Sequence, residues 1–128
     1  MPITRAGDFS PGITLESGTG EITAHELLAA LTKHRHAGSI KVLSDYQAAS
    51  LTATATDLRM LAEALDANSA KFELAWAVAA PDAATFGQLR MLEVYLHRSP
   101  VKLGVFRSLG EAQAWLEGPK GMVAGGSA

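Results

Sequence analysis

The chain has 128 residues, 48% of them hydrophobic and 19% charged, and its net charge is -2. Those values suit one globular domain and exclude intrinsic disorder, and the lack of a basic field argues against a nucleic-acid partner. With no cysteine, disulfides, thiol chemistry and thiolate metal sites are excluded.

The first ten residues, MPITRAGDFS, hold no apolar signal core, and no apolar run approaches the roughly 18 residues that span a membrane. A soluble cytoplasmic setting without membrane insertion is the expectation. Ile3 suits a short edge strand, which Asp8, Ser10, Pro11 and Gly12 punctuate. Ile13-Thr14-Leu15-Glu16 alternates apolar and polar residues, and Gly18, Thr19 and Gly20 then break the chain. This reads as a pair of strands or as one strand with a bulge.

Thr23-Ala24-His25-Glu26 is a capping box, whose hydroxyl and carboxylate satisfy backbone donors at a helix start. Ala24, Leu27, Leu28 and Leu31 continue as a helical stripe. Lys33, His34, Arg35 and His36 complement the negative end of that helix, and Gly38 stops it. Ile40 to Asp45 is a strand built on Ile40, Val42 and Leu43. Tyr46 to Thr54 is small and polar, and reads as a loop. A second helix runs from about Thr56 to Asn68, capped by Thr56 or Thr54, with Leu58, Leu61, Ala62 and Leu65 on one face.

Phe72 to Ala80, FELAWAVAA, is apolar almost without a break and ends abruptly at Pro81 and Asp82. A short apolar run between turn signals predicts a strand covered on both faces, here the central strand of the sheet. Asp82 caps a third helix, Ala83 to Arg98. One stripe of that helix is Phe86, Leu89, Leu92 and Leu96, and a second is Met91, Val94 and Tyr95. Val101 to Phe106 alternates as an edge strand with one face open to water. Ser108-Leu109-Gly110-Glu111 is another capping box, followed by the stripe Leu109, Ala112, Trp115 and Leu116. Gly118-Pro119 ends that helix. The domain thus covers residues 1–118, and residues 119–128 form a flexible tail. Repeated βα units predict parallel strands joined by right-handed crossovers.

GTGEITAHELLAAL, KVLSDYQ, DLRMLAEAL, WAVAAPDAATFGQLRMLEVY and GVFRSLGEAQAWL together resemble the bacterial STAS-like, or SpoIIAA-like, proteins, a group placed near the CRAL-TRIO lipid carriers. The resemblance runs from about Ile13 to Leu116. It implies a single-domain α/β sandwich: a four- or five-stranded, mostly parallel sheet with about four helices. It also implies a non-catalytic regulatory or protein-interaction module. Anti-sigma factor antagonists carry a phosphorylated serine just after a central strand. The matching stretch here is Asp45-Tyr46-Gln47-Ala48-Ala49-Ser50, in which Tyr46 and Gln47 depart from the pattern and Ser50 is displaced. Ser50 is therefore not expected to act as a phospho-switch. The chain also lacks the length for the extra helices that close a lipid cavity in the carriers.

Ligands of open α/β sheets collect at the carboxyl ends of the strands. The residues there are Asp45, Tyr46 and Gln47 on one side and Asp82, Thr85 and Phe86 on the other. They are the candidates for a small apolar or lipid-like ligand, the alternative to an interaction module. Four of them also have a plain structural role open: Asp82 as a helix cap, Asp45 as a turn or cap residue, Tyr46 and Gln47 as loop packing. His25, His34, His36 and His97 read as solvated helix residues, and no catalytic residue, metal or cofactor is expected. Met91, Val94 and Tyr95 exceed what docking of the third helix on the sheet requires. They predict a homodimer through that helix, with Arg90 and Arg98 at its polar rim.

Overall fold

The computed structural model describes residues 3–10, 12–32, 38–68 and 72–118. The basic stretch Lys33 to His36, the break at Pro11, residues 69–71 and the tail from residue 119 lie outside them. Among the described residues nine elements succeed one another: β1 (Ile3–Ser10), β2 (Ile13–Thr23), α1 (Ala24–Thr32), β3 (Gly38–Thr52), α2 (Ala55–Asn68), β4 (Phe72–Ala79), α3 (Ala83–Tyr95), β5 (Lys102–Phe106) and α4 (Leu109–Glu117). The five strands form one sheet in the order β1-β2-β3-β4-β5. β1 is antiparallel to β2, and β2 to β5 are parallel.

Helix starts follow the local chemistry. Thr23 and Glu26 close their box, with Glu26 N–H donating to Thr23 Oγ1 (3.1 Å) and Thr23 N–H to Glu26 Oε1 (2.9 Å). Thr54 does the same with Asp57, and Ser108 Oγ accepts from Glu111 N–H. Gly118 caps α4 in right-handed helical conformation (φ -75°), not in the left-handed turn expected of a terminal glycine. α3 ends at Tyr95, and residues 96 to 98 continue as turns.

Successive right-handed crossovers in one direction deliver their helices to the same face. Accordingly Leu27 and Leu31 of α1, Leu58, Leu61 and Leu65 of α2, and Leu89 and Leu92 of α3 with its cap Leu96 share a core with Val42, Trp76, Val78 and Val105. Ala112 and Leu116 of α4 cover the opposite face, against Ile13, Leu43, Ala77 and Ala79. β4 is buried on both faces as its sequence predicts, but β3 is the middle strand and β4 lies next to the edge. β5 is the edge strand, yet its second face is not open to water. Trp115 of α4 lies so close over Gly104 that a Cβ there would come within 3.0 Å of the indole, and Phe106 stacks obliquely on the same ring (5.9 Å, 49°).

The largest departure from the sequence expectation is at Tyr46 to Thr52. These residues extend β3 instead of forming a loop. β2 likewise runs through Gly18 and Gly20 to Thr23, and the two strands pair as far as Thr23 and Thr52. Between Ser17↔Asp45 and Thr19↔Ala48 one extra residue enters β3, so Tyr46 and Gln47 together oppose Gly18. The bulge shifts the alternation by one. Val42, Ser44 and Tyr46 point to the three-helix face before it, and Ala49 and Leu51 do so after it. That broken period is why YQAASLT does not look like a strand.

Candidate functional site

At the carboxyl ends of the strands the candidate residues divide. Asp45 closes the β3–β4 ladder opposite Ala79, and its Oδ1 accepts from the Gln47 N–H (3.1 Å) and side-chain amide (3.0 Å). Asp82 caps α3: its Oδ2 accepts from Thr85 N–H (3.0 Å) and the Thr85 hydroxyl (2.8 Å). Those bonds to Thr85 hold the exposed Asp82 carboxyl below its usual pKa, since they favour the ionised acceptor. Phe86 packs partly buried against the core, with the Arg107 guanidinium 4.5 Å from its ring centre. Ser50 is exposed, Tyr46 is only 2% exposed, and Gln47 lies outside. The strand order has no reversal, so β3 and β4 do not diverge into the crevice that accommodates ligands in doubly wound sheets.

Thr85 and Gln88 serve a purpose that the sequence does not announce. β3 outruns β4, leaving backbone groups of its last residues without a strand on that side. α3 takes the place of the strand. Thr85 Oγ1 accepts from Leu51 N–H (3.0 Å), Gln88 Nε2 donates to Leu51 C=O (2.7 Å), and Gln88 Oε1 accepts from Ala53 N–H (3.0 Å).

Beneath the three helices lies a polar row that sequence reasoning missed. Trp76 Nε1 donates to Ser44 Oγ (2.9 Å), which donates to Glu16 Oε1 (3.4 Å). Glu16 faces Ser44 in register, and Glu16, Ser44 and Trp76 are all buried. The one sequence signal was the alternation Ile13-Thr14-Leu15-Glu16: if Ile13 and Leu15 meet α4, Glu16 must face the other core. Tyr46 stands in the same layer; among the described residues its Oη has no partner in good hydrogen-bond geometry, and the Ser44 hydroxyl is its polar neighbour. Burial, first, and the negative Glu16 carboxylate push the phenol well above its usual pKa, and the Ser44 hydroxyl offsets part of this. Ser44 is bonded on both sides and fully enclosed, the arrangement of a network that specifies a core.

The outer face of α3 is the third candidate. Leu89, Leu92 and Leu96 are buried, whereas Met91, Val94 and Tyr95 are 41%, 62% and 37% exposed. Arg59 of α2 lies 5.9 Å from the Tyr95 ring centre, and Arg90 pairs with Glu93 at 3.6 Å. Met60 of α2 is also exposed, beside a groove of about 270 Å³ lined by His25, Leu28, Asp57 and Leu61. Among the described residues no group of three or more His, Cys, Asp or Glu could hold a metal ion, and no helix is long and apolar enough to cross a membrane.

Among the described residues, a sheet of four parallel strands with one antiparallel edge strand, covered by four helices, matches the SpoIIAA-like fold. The comparison that establishes this is with the crystal structure of an uncharacterised DUF3478-family protein with a SpoIIAA-like fold from Shewanella loihica PV-4. The TM-score is 0.54 and the identity 16%, over 89% of this chain and 93% of that one. No protein-family model and no curated protein matches the sequence. The likeness is one of fold.

Proposed function

We propose that this domain is a non-catalytic regulatory module that works through protein contacts, and that the outer face of α3 is its docking surface. The observation that supports this reading is the second stripe of α3: Met91, Val94 and Tyr95 remain exposed after the helix has docked on the sheet through Leu89, Leu92 and Leu96. Methionine and tyrosine are enriched at interfaces, and exposed apolar residues on adjoining turns form a patch rather than scattered surface residues. A second copy of the chain is the simplest partner, since two-fold dimers are the commonest oligomers. The ligand reading is weaker, because it needs Tyr46 at the surface and Tyr46 is enclosed. The proposed setting is the cytoplasm.

The test is mass against concentration, with capture of partners alongside. Light scattering is expected to rise from the 13.4 kDa chain mass toward twice that value as protein is concentrated. Met91→Glu and Tyr95→Glu are expected to keep the wild-type melting temperature and to lose both self-association and captured proteins. A chain that stays monomeric and captures nothing overturns the reading, as do variants that unfold instead of dissociating.

A further inference from the structure

Gly87 sits in the second turn of α3, and none of the described residues calls for it there. Its backbone is not in the left-handed region, and a Cβ at this position would meet no atom of the described residues within 4 Å. Glycine is a poor residue for a helix interior, so its presence on an exposed, unobstructed turn points to a close approach from outside. Gly87 is also aligned with other residues. Ala84, Gly87, Met91, Val94 and Arg98 succeed one another at spacings of three and four, and all five are exposed. That is the spacing of a helix–helix seam, small at its amino-terminal half and large at its carboxyl-terminal half.

We propose that α3 packs against α3 of a second copy, antiparallel about a two-fold axis, with Met91 and Val94 of each chain seated on the partner's Gly87 and the partner's Ala84. The proposal rests on the reading of α3 as the docking face and gives that face its partner and register. The two-fold makes the seam complementary to itself: the large residues of each helix meet the small residues of the other. The charges agree with that register. Arg98, exposed beyond the carboxyl end of α3, comes opposite the partner's Asp82, the exposed cap at the amino end. A parallel arrangement would instead set Arg98 against Arg98, Asp82 against Asp82, and Gly87 against Gly87 over a gap. Arg90 flanks the seam with its charge already paired to Glu93. Thirteen residues of helix give a seam of about 20 Å, at the small end of specific interfaces, so the dimer is expected to be weak and reversible.

The absence of native cysteines makes the register directly testable. Ala84→Cys and Val94→Cys chains are prepared separately, mixed, and oxidised gently. The expected product is the mixed dimer, one Ala84→Cys chain linked to one Val94→Cys chain, several-fold in excess over either self-linked dimer. Self-linked Val94→Cys dimers in excess, or no crosslink above that of a control Ser50→Cys chain, overturn the proposal. In parallel, Gly87→Leu has room in the isolated chain, so its melting temperature should hold, while overpacking of the seam should weaken self-association by about tenfold or more. Unchanged association of Gly87→Leu overturns the register. If Met91→Glu still abolishes capture of a different protein, α3 remains the docking face while the self-pairing falls.

Discussion

Tyr46 and Gly18 act as one unit. A Cβ on Gly18 would come within 2.7 Å of Tyr46 Cδ1 and 2.8 Å of Ile22 Cδ1, so the absent side chain makes the space the ring occupies. The ring gains by burial, but its hydroxyl is enclosed with only the Ser44 hydroxyl beside it and no well-formed bond, so its desolvation is poorly offset. Tyr46→Phe is therefore expected to change stability by no more than about 1 kcal/mol near neutral pH, and in the stabilising direction if at all. Its clearer effect is at alkaline pH. The fold favours the neutral phenol, so this contribution is complete below the ordinary value of 10.0. Above it the unfolded chain releases the proton first, and stability falls as pH rises. Denaturant midpoints of wild type and Tyr46→Phe should coincide at about pH 8 and separate at about pH 11, with the variant the more stable. Parallel losses in both proteins would show that Tyr46 is not the titrating group.

α3 is a helix on one side and a substitute strand on another. Its apolar stripe docks it, its cap at Asp82 orders Thr85, and Thr85 and Gln88 then complete the hydrogen bonding of β3 beyond the end of β4. Buried backbone groups left without partners are costly, which is why a polar pair is kept at a helix–strand contact. The double variant Thr85→Val with Gln88→Leu removes three such bonds while keeping apolar bulk. It is expected to lower stability by about 2–4 kcal/mol, from about 1 kcal/mol for each bond and the orphaned groups left behind. Amide exchange gives the sharper reading: Leu51 and Ala53 should lose protection ahead of the β4 amides. Unchanged protection at those two positions would mean that the end of β3 is held by something else.

The molecule as a whole is organised across the sheet by Trp76. It is fully buried in the three-helix core, and its indole N–H starts the polar row that runs through Ser44 to Glu16 and so ties β4 to β3 and β2. Trp76→Ala removes a large buried aromatic, at roughly 3–5 kcal/mol. That is a large part of the roughly 5–15 kcal/mol that holds a domain of this size. The expected result is a domain unfolded or close to unfolding at room temperature, read by a denaturation midpoint. A midpoint near wild type would show that the three-helix core does not depend on this side chain.

Features decided within a few residues are legible in the sequence alone. The capping boxes at Thr23 and Ser108 and the cap at Asp82 satisfy donors three residues away, so the helix starts can be read directly. The apolar run from Phe72 and the alternation before Phe106 mark β4 and β5, and the βα repeat implies the parallel sheet. Features that depend on distant partners were decided by the tertiary structure. Tyr46 to Thr52 is strand because β2, some 30 residues earlier, pairs with it through a bulge that erases the period of two. Glu16 and Ser44 are buried because three helices, each placed by a separate crossover, close over that face. β5 is covered on both sides because α4 brings Trp115 onto Gly104. The second stripe of α3 is visible in the sequence, but its exposure is settled only when all the other elements have taken their places, and Met91, Val94 and Tyr95 are left facing outward.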